Sequence, residues 1–367
     1  MTRIIISGGG TGGHIFPAIA IADALKAKEP GMEILFIGAK GRMEMEKVPD
    51  AGYPIKGLWI SGLQRRVSLK NLVFPIKVIS SLVKADQILA NFKPEVVIGV
   101  GGYASGPTLR AAIRRKIPTL IQEQNSFPGI TNKLLSKQVD KICVAYDGME
   151  RFFPSGKIIL TGNPVRQHIL SEGKRSEALE HFNLVKEKKV VLIIGGSLGA
   201  GTINNSVLHY LDQQTAEEPF QLLWQTGKHY FDLIKSNPKA LSREDVFIYS
   251  FIDRMDMAYA AADIIVSRAG AIAISELCVV GKPVILIPSP NVAEDHQTKN
   301  AEALVRKSAA LMLKDQDSVE NLFTLVKKIV NDTELQHELS RNIKSMALPG
   351  AARIIAEETI KLIKNNG

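Results

Sequence analysis

The sequence predicts an α/β protein built on two doubly wound parallel sheets, and three observations carry that prediction. An aliphatic run breaks into glycines twice, at Ile4-Ile5-Ile6-Ser7-Gly8-Gly9-Gly10-Thr11-Gly12-Gly13-His14 and at Val190-Val191-Leu192-Ile193-Ile194-Gly195-Gly196-Ser197-Leu198-Gly199-Ala200-Gly201. A strand buried on both faces reads as such a run. Strand-like and helix-like stretches alternate along the chain, as crossover helices between parallel strands require. A content of 45% hydrophobic and 23% charged residues over 367 residues supplies two cores of ordinary domain size.

In chain order, the apolar runs place strands at Arg3 to Ser7, Glu33 to Ile37, Ile55 to Ile60, Glu95 to Val100, Thr119 to Gln122, Lys141 to Val144 and Ile158 to Thr161. Helical spacing falls near His14 to Lys28, Leu69 to Asn91 and Pro107 to Arg115. The turn-rich Thr161-Gly162-Asn163-Pro164 reads as the link between halves. Beyond it, strands are expected at Lys189 to Ile194, Phe220 to Gln225, Val246 to Tyr249, Ile264 to Ser267, Val284 to Ile287 and Ala310 to Leu313, with helices between them. After Leu313 the pattern is helical only, and a last helix from about Gly350 to Lys364 is expected to fold back on the first domain. In sheets of this kind, ligands sit beyond the C-terminal ends of the strands.

Composition excludes several classes. Cys143 and Cys278, both among apolar neighbours, form neither a disulfide framework nor a cysteine-rich zinc site. No cationic segment leads into an apolar stretch near Met1, so no signal peptide is expected. No apolar run approaches the roughly 18 residues of a membrane span. The net charge of +9 points to an anionic partner. Between Leu58 and Lys93 the positive residues Arg65, Arg66, Lys70, Lys77, Lys84 and Lys93 face one acid, Asp86, with Trp59, Ile60, Leu63, Leu72, Val73, Phe74, Ile76, Val78, Ile79, Leu82 and Val83 among them. That mixture suits a surface resting on anionic headgroups, and equally an amphipathic helix packed on a sheet. Nucleic acid is not expected, because neither a binding motif nor an aromatic stacking platform appears.

Five clusters carry chemistry. Gly8, Gly10 and Gly13 satisfy the dinucleotide fingerprint, but the next strand ends in Gly38-Ala39-Lys40, without the acid that a dinucleotide ribose needs. The loop still suits a diphosphate. His14 opens the following helix, where the dipole disfavours an imidazolium and leaves a neutral ring as a proton acceptor. A second nest, Gly99-Val100-Gly101-Gly102-Tyr103-Ala104-Ser105-Gly106-Pro107, again carries a strand into a helix. Gln122-Glu123-Gln124-Asn125 ends a strand in polar side chains suited to sugar hydroxyls. In the second half, Ser267 to Glu276 brings a carboxylate into the first turns of a helix, where it can bind two ribose hydroxyls. Ala293 to Asn300 is again polar after a strand, and reads equally as a helix N-terminus with Asp295 as its cap.

Taken in order, Gly8 to His14 with Pro17, Gly101 to Pro107, Gln122 to Asn125, Thr161 to Arg166, Gly195-Gly196-Ser197 with Gly199-Ala200, Ser267 to Glu276 and Asp295 to Asn300 resemble the motifs of the MurG family of peptidoglycan glycosyltransferases. The similarity runs from the first strand to the terminal helix. It implies a GT-B fold, in which two Rossmann-like doubly wound domains face a cleft. Residues 1–163 would bind the acceptor and associate with the membrane, 164–346 would bind the UDP-sugar, and 347–367 would pack back on the first domain.

The family's activity implies an inverting transfer of N-acetylglucosamine from UDP-N-acetylglucosamine to the muramyl 4-hydroxyl of lipid I, forming lipid II at the cytoplasmic face of the cell membrane. Carried over, His14 is the first choice of base and Glu123 the reserve. Thr11, Gly12, Gly13, Asn125 and Gln297 would meet the donor sugar, Ser197 its diphosphate, and Arg166 the same donor site. Ile252 would offer backbone to uracil, while Ala271, Ile272, Ala273, Ile274, Ser275 and Glu276 would hold diphosphate and ribose. Gly9, Gly10, Gly102, Tyr103, Ser105 and Gly106 would grip the acceptor diphosphate. No cofactor and no metal are implied, since fixed N–H dipoles carry the charge of the departing UDP. Asp295-His296-Gln297-Thr298 departs from the Asp-Arg-Gln-Gln form, although Gln297 is kept. The family's docking on anionic lipid favours the membrane reading of Leu58 to Lys93. The rival readings are a UDP-sugar epimerase, a lipid glycosyltransferase with another acceptor, a nucleotide-sugar sensor and a dehydrogenase.

Overall fold

A computed structural model describes residues 1–62, 73–165, 169, 175–196, 198–214, 218–292 and 295–366. The chain divides into two compact units, Met1–Val165 with Leu348–Gly367, and Arg166–Ala347.

The first unit holds a seven-stranded sheet of β1 (Arg3–Gly8), β2 (Glu33–Ala39), β3 (Ile55–Leu58), β4 (Val96–Gly101), β5 (Thr119–Glu123), β6 (Lys141–Val144) and β7 (Ile158–Leu160), in the order β3-β2-β1-β4-β5-β6-β7. Every pairing is parallel. Its helices are α1 (Gly12–Lys28), α2 (Glu44–Asp50), α3 (Phe74–Phe92), α4 (Ser105–Arg114) and α5 (Ile130–Leu135). Ile4, Ile5 and Ile6 of β1 are fully buried because helices cover both faces of the sheet, which is why the strand is aliphatic without alternation. The order reverses between β1 and β4, so the two glycine loops that follow them meet at the switch point, where α/β sheets hold ligands.

The second unit repeats the plan with β8 (Lys189–Ile194), β9 (Phe220–Gln225), β10 (Val246–Tyr249), β11 (Ile264–Ser267), β12 (Val284–Leu286) and β13 (Leu311–Met312), in the order β10-β9-β8-β11-β12-β13. Its helices are α6 (Arg175–His181), α7 (Gly201–Gln213), α8 (Phe231–Lys235), α9 (Pro238–Leu241), α10 (Met255–Ala261), α11 (Ala271–Val280), α12 (His296–Val305), α13 (Ser318–Asn331) and α14 (Thr333–Ser345). Its switch point lies between β8 and β11, again beside a glycine loop. Trp224 anchors the core at full burial, and its indole N–H donates to Asn204 Oδ1 at 3.0 Å. A buried indole needs such a partner.

The last helix, α15 (Ala351–Asn366), belongs to the first unit. Its Ile355, Ala356 and Leu362 join the cluster of Ile15, Ile21 and Leu25 of α1, and Lys28 pairs with Glu357 at 2.9 Å. All thirteen strands expected from sequence are present, most within one or two residues of their expected ends. The helix expected over Leu69 to Asn91 is described as Phe74–Phe92, and 69–72 lie outside the described residues. Helices α2 and α5 were not expected. Among the described residues no helix is long and apolar enough to cross a membrane. Burial pushes both the Cys143 and Cys278 thiols up to about 12, so neither is a ready thiolate.

Candidate active site

The first glycine loop is closed by backbone contact. Gly9 and Gly10 have φ of 148° and 89°, and Gly101 and Gly102 have φ of 94° and 83°, all in the region that favours glycine. A Cβ on Gly102 would lie 2.1 Å from the Gly9 carbonyl oxygen, so the two loops touch where only hydrogen fits. Tyr103 lies half-exposed over Gly10. Ser105 is fully buried against Gly99, which leaves its backbone N–H, at the start of α4 beside Gly106, as what it offers a ligand.

Sequence reasoning missed Glu44. Its carboxylate is buried, Oε2 accepting from the Gly10 amide and Oε1 from the Ala39 amide, each at 2.9 Å. An internal anion therefore already takes one N–H that the loop was expected to give a diphosphate. The Arg42-Met43-Glu44 stretch gave no signal, since an acid between basic and apolar residues resembles any helix start.

Thr11 caps α1 in extended conformation without a side-chain capping bond, and Gly12, Gly13 and His14 form the first turn. Pro17, lacking an N–H, leaves the Gly13 carbonyl without its usual helical donor. His14 is half-buried, its ring against Gly101, with Nδ1 3.1 Å from the Val100 carbonyl oxygen. A carbonyl only accepts, so Nδ1 carries a proton, and in the neutral tautomer that this bond selects the lone pair lies on Nε2.

The polar stretch that ends β5 and follows it behaves differently from the expectation that it faces sugar. Gln122 and Gln124 are buried and bonded to each other, Gln124 Nε2 donating to Gln122 Oε1 at 2.7 Å. Glu123 is buried as well, Oε1 accepting from the Asn125 backbone and side-chain nitrogens and Oε2 from Gly129 N and Asn132 Nδ2. Burial pushes its carboxyl up, against the opposing pull of these donors. The carboxylate thus folds the loop that presents half-buried Asn125.

In the second unit, the loop after β8 packs on the loop after β9. A Cβ on Gly199 would fall 2.0 Å from the Thr226 carbonyl oxygen, at φ of 80°. Gln225, also missed, ties this loop to the next: Nε2 donates to the Gly196 carbonyl at 3.1 Å, and Oε1 accepts from Ile252 N at 2.9 Å. That Ile252 N–H is therefore engaged within the protein.

Helix α11 begins after Gly270, which has no side chain to occupy the first-turn amides of Ala271, Ile272 and Ala273. Such a start favours an anion. Ile274 is buried, and the Ser275 hydroxyl bonds back to the Ala271 carbonyl at 3.0 Å. Glu276 is 4% exposed and accepts from the Tyr259 hydroxyl at 3.3 Å, which orients a carboxylate for hydroxyl recognition. Gln297 Oε1 accepts from Ser289 N at 2.8 Å. Asp295 holds a left-handed conformation at the start of α12 and accepts from the Thr298 hydroxyl at 2.7 Å, in place of the expected amide cap. Arg166 and Ser197 lie outside the described residues. Among the described residues no three His, Cys, Asp or Glu side chains gather into a metal-type cluster.

Helix α3 carries two apolar stripes. Ser81, Ala85, Ile88 and Leu89 face the core, while Ile76, Ile79 and Val83 are 59%, 63% and 54% exposed beside half-exposed Trp59. Lys77 lies over the Trp59 ring at 5.6 Å. Asp86 is paired with Arg114 and Arg115, each at 2.7 Å, so the single acid of the region is itself neutralised. Arg65, Arg66, Lys70, Leu63 and Leu72 lie outside the described residues.

Residues 4–144 match the glycosyltransferase family 28 N-terminal domain, and residues 190–355 the C-terminal domain of the same family. A protein of Flavobacterium psychrophilum named UDP-N-acetylglucosamine–N-acetylmuramyl-(pentapeptide) pyrophosphoryl-undecaprenol N-acetylglucosamine transferase is 56% identical over 99% of this chain and 98% of its own length. A Bacteroides fragilis protein of the same name is 53% identical over 99% and 96%. The crystal structure of MurG from Acinetobacter baumannii is similar at 28% identity, with a TM-score of 0.76 over 98% of this chain and all of that one.

Proposed function

The chain belongs to glycosyltransferase family 28 and, within it, to the MurG family, and from that premise we propose that it transfers N-acetylglucosamine from UDP-N-acetylglucosamine to the muramyl 4-hydroxyl of lipid I, making lipid II for peptidoglycan. The observation that carries this reading is the pair of ligand-type switch points, one with a histidine whose tautomer is fixed, the other with a helix start and an oriented Glu276.

In the proposed reaction the 4-hydroxyl oxygen attacks the anomeric carbon, and the bond from that carbon to the diphosphate breaks. His14 Nε2 takes the hydroxyl proton. Charge developing on UDP meets the amides of Ala271, Ile272 and Ala273 and the loop that includes Ser197. Glu276 holds the ribose hydroxyls and the Ile252 backbone meets uracil. Thr11, Gly12, Gly13, Asn125, Gln297 and Arg166 serve the donor sugar side, while Gly9, Gly102, Tyr103 and Gly106 serve the acceptor diphosphate. Direct displacement on an α-linked donor gives a β-linked product. Glu123, with both oxygens engaged in its own loop, acts as the scaffold for Asn125.

The exposed Ile76, Ile79, Val83 and Trp59 with their basic neighbours support peripheral binding to anionic lipid at the cytoplasmic membrane face, where a lipid-borne acceptor resides. Labelled UDP-N-acetylglucosamine incubated with lipid I should yield a disaccharide lipid. His14→Ala should lower turnover roughly 10²–10⁴-fold while donor affinity stays within about twofold. Unchanged turnover in that variant removes His14 from the mechanism. Consumption of the donor without acceptor would favour the epimerase reading.

A further inference from the structure

The Val100 carbonyl receives a second donor besides His14. Gln124 Nε2 lies 2.7 Å from the same oxygen. Val100 is the extra residue where the β1–β4 register shifts, between Ser7 opposite Gly99 and Gly8 opposite Gly101, and its carbonyl takes side-chain donors where a regular strand would supply an amide. Gln124 is 2% exposed and its orientation is dictated by its neighbours. Its nitrogen faces two acceptors, Val100 O and Gln122 Oε1. Gln122 Nε2 donates in turn to Asn163 Oδ1 at 2.8 Å, and Asn163 Nδ2 returns a bond to the Gln124 carbonyl at 3.0 Å. These bonds form a closed ring of buried amides in which reversing one side chain would set acceptor against acceptor.

We infer that Gln124 is a positioning residue for the transfer: by holding the Val100 carbonyl it keeps His14 protonated on Nδ1, with Nε2 as the proton-accepting atom. The inference rests on the reading of His14 as the base. Gln124 itself touches no substrate. The Val100 oxygen accepts from Gln124 at 2.7 Å and lies 3.1 Å from His14 Nδ1, so two side chains hold one carbonyl and the imidazole is held with it. Losing the Gln124 donor releases the carbonyl and allows the ring to sample the Nε2-protonated tautomer, which presents a proton where an acceptor is needed.

The test uses the full chain labelled with ¹⁵N-histidine, with the His14 signals identified by their absence in His14→Gln. In the unsubstituted protein the ring nitrogens should show the Nδ1-protonated neutral tautomer. Gln124→Leu, close in volume and without a donor, should give a tautomer mixture and a kcat 10- to 100-fold lower, with KM for UDP-N-acetylglucosamine within twofold. Gln122→Met leaves Gln124 in place but removes the acceptor that orients it, so it should shift both readouts in the same direction by a smaller amount. It carries the test if Gln124→Leu does not fold.

An unchanged His14 tautomer in both variants overturns the inference, whatever the base. A shifted tautomer with unchanged kcat overturns the role in transfer. Full turnover in His14→Ala strikes instead at the reading of His14 as the base, and the spectra separate that outcome from the others.

Discussion

Glu44 holds Gly10 from inside the protein, its Oε2 accepting the Gly10 amide at 2.9 Å while Oε1 accepts the amide of Ala39. One carboxylate thus joins the loop after β1 to the last residue of β2. A phosphate-type loop normally keeps its N–H groups for the ligand. Here part of the loop's electrostatic need is met internally, and the Gly10 amide is engaged within the protein.

Glu44→Ala should therefore act on stability as well as on turnover. It leaves the Gly10 and Ala39 amides without their acceptor, and hydrogen bonds to a charged group contribute roughly 1.5–3 kcal/mol each. A loss of about 3–6 kcal/mol in urea unfolding is expected for the two bonds together. A change below about 0.5 kcal/mol would show that the loop does not need the carboxylate.

Gly52 and Gly102 share a φ of 83° but differ in what surrounds them. Nothing lies near a Cβ at Gly52, whereas at Gly102 the Gly9 carbonyl stands 2.1 Å away. Gly52→Ala should cost only the left-handed penalty of roughly 1–2 kcal/mol and keep turnover. Gly102→Ala should cost distinctly more and lower turnover strongly, because the two loops must part. Equal midpoints and equal rates for the two variants would refute the close approach.

Asp86 is held at about 2, chiefly by hydrogen bonds from Arg115 and Arg114. A carboxyl depressed in the folded state stabilises above its unfolded value, and that contribution disappears as pH falls through about 2. Asp86→Asn should flatten this acid window in a pH series of melting curves. It should also remove the one negative charge from the helix that carries Val83, tightening association with anionic vesicles by about fivefold, on roughly 1 kcal/mol per surface charge. Weaker vesicle binding would count against a lipid role for this face.

Ile355 on α15 is fully buried against the α1 side of the sheet. Ile355→Ala should destabilise by roughly 2–4 kcal/mol. Exposed Lys364 on the same helix, changed to Ala, should stay within about 0.5 kcal/mol. Equal midpoints would mean that the helix adds little to the first unit.

The strands were legible because a doubly covered strand has no polar face, and Ile4 to Ile6 or Val190 to Ile194 can be nothing else. The short helices were not. Helix α2 contains Pro49 and buries only Glu44 and Val48, and α5 spans six residues, so neither shows a helical stripe. Among the candidate site residues, the glycine loops, His14 and Glu276 stand out in the sequence because each follows an apolar strand. It misjudged Gln122 and Gln124, which looked ligand-facing and are buried donors to other amides and to the Val100 carbonyl. The partner of a buried amide lies far away in the chain, as Asn163 does from Gln122, and local pattern carries no record of it. Glu44 and Gln225 escaped for the same reason.

The return of α15 to α1 has a consequence for biosynthesis. A ribosome must deliver all of Arg166–Ala347 before the segment that completes the first unit emerges. At usual elongation rates that delay is roughly 10–35 s. Throughout it the nascent first unit lacks the cover that Ile355, Ala356 and Leu362 later provide, and the apolar flank of α1 stays open to solvent until they arrive.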